Sequence, residues 1–171
     1  AIWFVPQVFD LYPLWEEPPT EAELRAMIYL AINHGARGVI FYALYEILDK
    51  YGEAPNYEWH LEKRPQADYV KKIGGELKNF SPIFISSEVP TAKVTLDKHG
   101  PLDLSVFSFE GKNYLSIVNV ESEEVEQAIK IETNRKLSII KEKITGKKVP
   151  IYNNLFYQKF EPYGVRFFEL E

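Results

Sequence analysis

Two continuous apolar runs constrain the fold of the first half more than any other feature. They occupy residues 2–5 and 38–42, and neither alternates with polar residues. A run of this kind is typical of a strand that is buried on both faces, as in a parallel sheet. The stretch between the runs is long enough for a crossover helix. The sequence therefore predicts a strand, a helix and a second strand parallel to the first.

The crossover helix carries clear start and stop signals. Thr20 is followed three residues later by Glu23, which is the spacing of a capping box. Apolar residues then recur at helical spacing on one face between Leu24 and Ala31. Gly35 lies where a helix commonly ends in a left-handed residue. These signals predict a helix from about Thr20 to the residue before Gly35.

A second helix follows a polar loop at about residues 50–64. Pro65 is suited to the first helical position, and an apolar stripe runs from Tyr69 to Phe80. The pair at residues 74–75, Gly-Gly, is expected to interrupt this helix, and Pro82 is expected to end it.

The second half changes character at about residue 89. Short runs alternate apolar and polar residues, and turn signals such as residues 110–112 and 145–147 separate them. Six to eight short antiparallel strands are expected, which is typical of a small β-sandwich. The predicted fold class is thus α/β plus all-β. The predicted division is an α/β unit at residues 1–88 and an antiparallel β-sandwich at residues 89–171.

Two parallel strands and two helices do not form a stable sheet alone, because both strands leave edges unpaired. Such a unit normally belongs to a larger parallel sheet or barrel. A missing N-terminal region, another copy of the chain or a separate chain could cover the edges, and the sequence leaves all three open.

Four segments resemble the last two strand–helix units of a TIM-barrel glycoside hydrolase. They read WFVPQVF at residues 3–9, PPTEAELRAM at 18–27, AINHGARGVIFY at 31–42 and KNFSPIF at 78–84. The β-rich remainder is similar in architecture to the small C-terminal sandwich that such enzymes often carry. The resemblance implies a (β/α)8-type barrel whose first six strands are not in this chain. Either the chain is a fragment or Ala1 follows an excised initiator Met.

The resemblance places the active site at the carboxyl ends of the strands. In many such barrels a catalytic Glu ends the seventh strand, whereas Gln7 stands at the matching position here and cannot act as an acid or a nucleophile. The catalytic residues are therefore unknown. Asp10 and Glu46 follow the two strands and could reach the carboxyl spacing of a glycosidase. Their alternative roles are a turn former and a solvated loop residue.

Sugar binding is the more specific expectation at these strand ends. The amide of Gln7 can both donate to and accept from a sugar hydroxyl, although it could equally bond to neighbouring backbone. The aromatic residues Trp15, Tyr42, Tyr57 and Trp59 are candidates to stack on sugar rings, with core packing as the alternative for each.

Composition excludes several other classes. With no Cys there is no disulfide or thiolate chemistry, and the three His residues lack metal-ligand spacing, so neither cofactor nor metal is expected. A net charge of −5 argues against nucleic acid. No membrane span or secretory signal is visible, so a cytoplasmic location is the expectation. Glu and Lys dominate the charged residues, as in heat-adapted proteins.

Three functions remain open from sequence. The chain could be the C-terminal portion of a glycoside hydrolase that contributes sugar-binding residues and a structural sandwich but not the catalytic pair. It could instead be a non-catalytic module that binds carbohydrate or docks a partner. A self-sufficient homo-oligomer, in which copies cover one another's strand edges, is the third possibility.

Overall fold

The computed structural model describes residues 1–8, 18–42, 65–134 and 136–170. In these ranges two helices and ten strands follow one another in the order β1, α1, β2, α2 and β3 to β10. Their bounds are β1 Ile2–Phe4, α1 Glu21–Asn33, β2 Ala36–Val39, α2 Gln66–Phe84, β3 Lys93–Leu96, β4 Leu102–Phe109, β5 Lys112–Asn119, β6 Val125–Glu132, β7 Ile139–Glu142, β8 Lys148–Pro150, β9 Leu155–Phe160 and β10 Val165–Leu170.

Strands β1 and β2 pair in parallel, as the sequence predicts. The expected second strand at residues 38–42 is displaced, because the regular strand begins at Ala36 and ends at Val39. The ladder then resumes as a single bridge between Gln7 and Tyr42. Pro6 explains the gap, since it has no N–H to donate to the second strand.

The expectation that both strands are buried on both faces is wrong for the chain itself. Phe4 and Val39 pack against the hydrophobic core beneath α1. On the other face the side chains of Trp3, Val5 and Ile40 are exposed, with Trp3 at 61%. One face of the pair therefore packs against the core, and the side chains on the other face are exposed.

Helix α1 begins and ends where the sequence signals predict. The Thr20 hydroxyl accepts a hydrogen bond from the backbone N of Glu23 at 3.3 Å, and the Glu23 carboxylate accepts one from the backbone N of Thr20 at 2.8 Å. Gly35 follows the helix with φ +96°, which glycine adopts without steric cost. The capping box and the glycine stop are both confirmed.

Helix α2 departs from prediction, because it runs without a break through Gly74 and past Pro82 to Phe84. Proline at position 82 leaves the carbonyl of Lys78, four residues earlier, without its helical donor. The hydroxyl of Ser81 donates to that same carbonyl at 3.1 Å. A neighbouring side chain thus replaces the missing backbone hydrogen bond, and the helix continues for two more residues.

The remaining strands form two antiparallel sheets. One has five strands in the order β4–β5–β10–β7–β8, and the other has three in the order β3–β6–β9. A single hydrophobic cluster lies between them and draws on both, with Leu115, Ile117 and Phe168 from the larger sheet and Ile129 and Phe156 from the smaller. The alternating runs singled out in the sequence fall on these strands.

The opposite face of the five-stranded sheet carries the helices. Tyr29 of α1 and Phe84 of α2 contact Phe167 of β10, with ring centroids 6.4 and 5.1 Å apart, and Phe84 also meets Phe107 of β4 at 5.3 Å. Helices and sheet therefore share one core, and the division at residue 88 stays a prediction. Among the described residues no helix is long and apolar enough to cross a bilayer.

Candidate functional site

The carboxyl ends of β1 and β2 lie side by side. The backbone N of Val8 donates to the carbonyl of Tyr42 at 2.9 Å, and the backbone N of Tyr42 donates to the carbonyl of Pro6 at 3.1 Å. Gln7 and Tyr42 are the paired residues of this last bridge. Two of the predicted sugar-binding residues are thus neighbours on adjacent parallel strands.

The register puts this pair on the exposed face of the two strands. Trp3 pairs with Gly38, and Gln7 pairs with Tyr42 four residues further along both strands. Because side chains alternate between faces, Gln7 and Tyr42 share the face of Trp3 and Gly38. Tyr42 is 54% exposed and Gln7 is partly buried. An apolar face therefore ends in an amide and a phenol at its carboxyl end.

Gly38 allows the ring of Trp3 to lie flat across the strand pair. A Cβ at position 38 would come within 2.5 Å of that ring. Glycine in a strand often marks such a close approach. Trp3 was not among the predicted site residues, although its place in the apolar run of residues 2–5 and the glycine that opens the second run were signals for it.

The other predicted site residues lie outside the described residues. They are the candidate carboxylates and the remaining candidate stacking aromatics, namely Asp10, Trp15, Glu46, Tyr57 and Trp59. Their roles stay predictions.

A cavity of about 530 Å³ opens between the end of β1, helix α1 and the end of β5 in the five-stranded sheet. Gln7, Met27, Val118 and Tyr163 are among the residues that line it. Glu23 lines it too, but its carboxylate accepts hydrogen bonds from both the backbone N and the hydroxyl of Thr20 at 2.8 Å. The charge nearest to Gln7 in this cavity is therefore already used to cap the helix.

An ion-pair network holds α1 against α2. The guanidinium of Arg25 makes two hydrogen bonds to Glu76, at 2.6 and 3.1 Å, and also contacts Glu21 at 2.8 Å. Burial lowers the pKa of Arg25, but its ion pairs with Glu76 and Glu21 together outweigh burial and raise the pKa overall. A hydrogen bond from Lys72 lowers the pKa of Glu21. Burial raises the pKa of nearby Tyr29, so its phenol stays neutral. The network positions the helices and does no chemistry.

Two carboxylates are buried in the sheets, and sequence reasoning missed both. Glu142 accepts hydrogen bonds from the backbone N of Ile144 and Thr145 at 3.0 and 2.6 Å, so it holds the turn that the sequence indicated at residues 145–147. Glu169 lies between the ammonium groups of Lys112 and Lys143, at 2.8 and 2.5 Å. Each carboxylate satisfies local donors, and the two lie close together on paired strands, since Glu142 pairs with Phe168 and Glu169 pairs with Lys141.

Among the described residues no group of three His, Asp or Glu side chains could hold a metal ion. His34, at the C-terminal end of α1, contacts Asp103 of β4 through Nε2 at 2.8 Å. Asn33 donates to the same carboxylate at 2.7 Å. This contact ties the helix end to the sheet.

Solved glycoside hydrolases contain the same fold as this chain. An α-amylase from Geobacillus thermoleovorans, complexed with acarbose, matches 99% of this chain with a TM-score of 0.62 at 10% identity. An Anoxybacillus α-amylase matches 98% with a TM-score of 0.61 at 14% identity. An endoxylanase from Clostridium papyrosolvens matches 99% with a TM-score of 0.52 at 13% identity. The fold is shared with glycoside hydrolases.

This chain spans only part of those proteins. It covers 39%, 37% and 41% of the three chains, respectively. No protein-family model matches the sequence, and no curated protein matches it. At these identities the likeness establishes the fold, and it agrees with the resemblance seen in the four sequence segments.

Proposed function

We propose that the chain is the C-terminal portion of a glycoside hydrolase that acts on O-glycosidic bonds. In this proposal it supplies sugar-binding residues and a structural pair of sheets, while the catalytic carboxylates come from other strands. The observation that carries the proposal is the register that sets Gln7 beside Tyr42 at the carboxyl ends of two parallel strands. Ligands of parallel α/β folds bind at that end.

The chemistry of the pair suits a sugar. The amide of Gln7 offers a donor and an acceptor, and the phenol of Tyr42 offers a ring face together with a hydroxyl. The amide of Gln7 has no titratable proton, so it cannot act as the acid or base of hydrolysis. Gln7 and Tyr42 would therefore orient a sugar ring, and a carboxyl pair would act on it.

The exposed face of the strand pair supports a larger sheet around it. Trp3, Val5 and Ile40 face away from the helices and are exposed. A cavity of about 310 Å³ lies between β2 and α2, lined by apolar side chains that include Val39 and Leu77. A further parallel strand beside β2 would fill that cavity and pair with the free edge of β2.

The test is an activity and binding comparison. The protein encoded by the whole reading frame that contains this chain should hydrolyse one of a panel of 4-nitrophenyl glycosides. The variants Gln7→Ala and Tyr42→Ala should raise KM at least tenfold, because each removes a contact to the sugar. A full-length protein inert on every glycoside, or variants with unchanged KM and kcat, would contradict the proposal.

A matched control separates binding from packing. Ile40→Ala lies on the same face of the same strand, one layer below Tyr42, and is also exposed in this chain. It should leave KM unchanged while lowering thermal stability in the full-length protein, where extra strands would bury it. Loss of sugar binding in Ile40→Ala alone would point to a packing role for the whole face.

A further inference from the structure

The outer face of the three-stranded sheet carries two exposed tyrosines, far from the strand ends discussed above. Tyr152 is 75% exposed and Tyr157 is 70% exposed. Large aromatic side chains stabilise a fold most when they are buried. Two tyrosines this exposed on one sheet face therefore need a physical explanation.

The hairpin register puts both rings on the same side. Tyr152 pairs with Leu155 across a two-residue turn, and Tyr157 follows Leu155 by two residues. Phe156, between them, is buried in the core between the sheets. Leu155 and Tyr157 therefore point outward, and Tyr152 points outward with its partner. The two tyrosines are diagonal neighbours, whose Cα atoms lie about 7–8 Å apart.

The backbone holds this pair in place. Asn153 and Asn154 have φ values of +52° and +63°, as a tight two-residue hairpin requires. The backbone N of Ile131 donates to the carbonyl of Asn154 at 2.8 Å, which ties the turn to β6. Ala128 lies opposite Tyr157 and leaves the ring face uncovered. The backbone therefore holds the two tyrosines in position before any ligand binds.

The charges around the rings nearly balance, with one more negative side chain than positive. Lys130 contacts Glu132 at 2.9 Å, and Lys159 contacts Glu124 at 2.7 Å. The others on or beside this face are Lys93, Glu126 and Asp97, whose backbone N donates to the carbonyl of Ala128 at 3.1 Å. Such a surface has no net attraction for phosphates, nucleic acid or an anionic membrane, which need unpaired positive charge. It offers hydrogen-bonding groups beside two ring faces, which suits a neutral, hydroxyl-rich ligand.

The face is also a poor site for a second copy of the chain. A stable protein interface buries about 800 Å² on each partner. Two tyrosine side chains supply at most about 500 Å². The surrounding lysines and glutamates are depleted from the cores of protein interfaces.

We propose that Tyr152 and Tyr157 form a neutral-oligosaccharide binding platform on the outer face of the three-stranded sheet, separate from the site at Gln7 and Tyr42. Consecutive sugar rings would stack on the two tyrosines, with the flanking ion pairs bonding to their hydroxyls. The platform would hold the chain on a polysaccharide and takes no part in bond cleavage.

The experiment is isothermal titration of the 171-residue chain with maltohexaose, cellohexaose and xylohexaose. One of the three should bind, and the double variant Tyr152→Ala/Tyr157→Ala should weaken that binding at least tenfold. Tyr157→Phe keeps the ring and should bind within about threefold of the parent. Val89→Ala, an equally exposed apolar change elsewhere, should have no effect.

Each other outcome overturns the proposal. If no hexasaccharide binds, or if the parent and the double variant bind equally well, the proposed platform is wrong. Binding abolished by Gln7→Ala but not by the double variant assigns the sugar to the strand ends and leaves the function proposed above intact. Dimers in light scattering that the double variant dissociates assign the face to a second copy. Since both rings are exposed, the variants should fold, and circular dichroism checks this.

Discussion

The two antiparallel sheets and the parallel strand pair differ in how far this chain completes them. Each sheet presents its inner face to a shared core, in which Ile117, Ile129 and Phe156 are almost fully buried. The strand pair has one face on the helices and the other exposed, with Trp3 and Ile40 uncovered. The difference indicates that the sheets and helices share a core within this chain, whereas under the function proposed above the strand pair would depend on further strands.

The comparison also assigns different functions to the two regions. In the proposal above the strand ends bind the sugar to be cleaved, and the three-stranded sheet binds polysaccharide elsewhere. The five-stranded sheet does neither, because its two faces are covered by the helices and by the smaller sheet. Mutations should therefore affect stability most in the five-stranded sheet and least in the strand pair.

Phe167→Ala should produce the largest loss. Phe167 is fully buried and contacts rings from both helices and from β5, including Phe80 at 5.0 Å and Tyr114 at 5.9 Å. Removing such a side chain costs about 3–5 kcal/mol of unfolding free energy. Trp3→Ala, which removes a larger but exposed ring, should cost less than about 1 kcal/mol. Urea denaturation measures both, and equal losses would erase the distinction between the two regions.

Arg25→Ala tests the contact between the helices. The guanidinium lies between Glu76 and Glu21 and is largely buried, so its removal leaves the Glu76 carboxylate without this donor, while Glu21 keeps Lys72. We expect a loss of about 2 kcal/mol in the free energy of unfolding. Lys72→Ala is the matched control, since Lys72 contacts the same Glu21 from an exposed position and should cost less than about 1 kcal/mol. A larger loss from Lys72→Ala would reverse this assignment.

Glu88 makes the link from α2 to the sheets sensitive to acid. Its carboxylate accepts hydrogen bonds from the backbone N of Gly111 and Glu110 at 3.1 and 2.8 Å, which lower its pKa. A lowered pKa in the folded state stabilises the protein above the unfolded value of about 4.3. That contribution is lost as the pH falls through the folded pKa.

Glu88→Gln should therefore lower the melting temperature at pH 7 by more than at pH 3. Thermal melts of parent and variant at both pH values measure the difference. Glu110→Gln is the control, because it removes a carboxylate from the same turn and leaves the two backbone hydrogen bonds to Glu88 in place. A constant deficit for Glu88→Gln would show that the carboxylate charge is not what holds the turn.

Gly38→Ala should have the smallest effect in this chain. The new methyl group would displace the ring of Trp3, but that ring is exposed and free to move, so the loss should stay below about 1 kcal/mol. A shift in tryptophan fluorescence should report the displacement, and Trp3→Ala/Gly38→Ala should remove that shift. In a full-length protein with further strands over this face, Gly38→Ala should lower the free energy of unfolding by more than it does in this chain. An equal loss in the two proteins would contradict the proposed larger sheet.

Local signals in the sequence predicted much of the fold. The capping box of Thr20 and Glu23, the stop at Gly35 and the alternating runs of the sheets all depend on neighbouring residues, and all were found. The prediction that Pro82 ends α2 was wrong, because the hydroxyl of Ser81 donates to the carbonyl that the proline leaves without a donor. The strand pair was correctly predicted to be parallel. The exposure of its second face depends on which strands the chain contains, and secondary-structure propensity does not encode that.

The candidate site was predicted in part. Gln7 and Tyr42 were chosen because each ends a strand, and the register brings them together. Tyr157 was visible only as part of an apolar run at residues 155–157. Its exposure required knowing that Phe156 faces the core, and the tight turn at Asn153 and Asn154 was not recognised. Long-range pairings, such as Glu169 with Lys112, have no signature in a single sequence.

The aromatic cluster around Phe167 limits how this protein could be recombined. Tyr29 and Phe84 each rest on that one ring, so both helices take their orientation from the five-stranded sheet. If the sheets were exchanged for a different accessory domain, the two helices would lose the aromatic side chains against which they pack. Strands β1 and β2 would then lose their alignment. A chimera would have to transplant Phe107 and Phe167 along with the helices, because the helices pack directly on these rings of the five-stranded sheet.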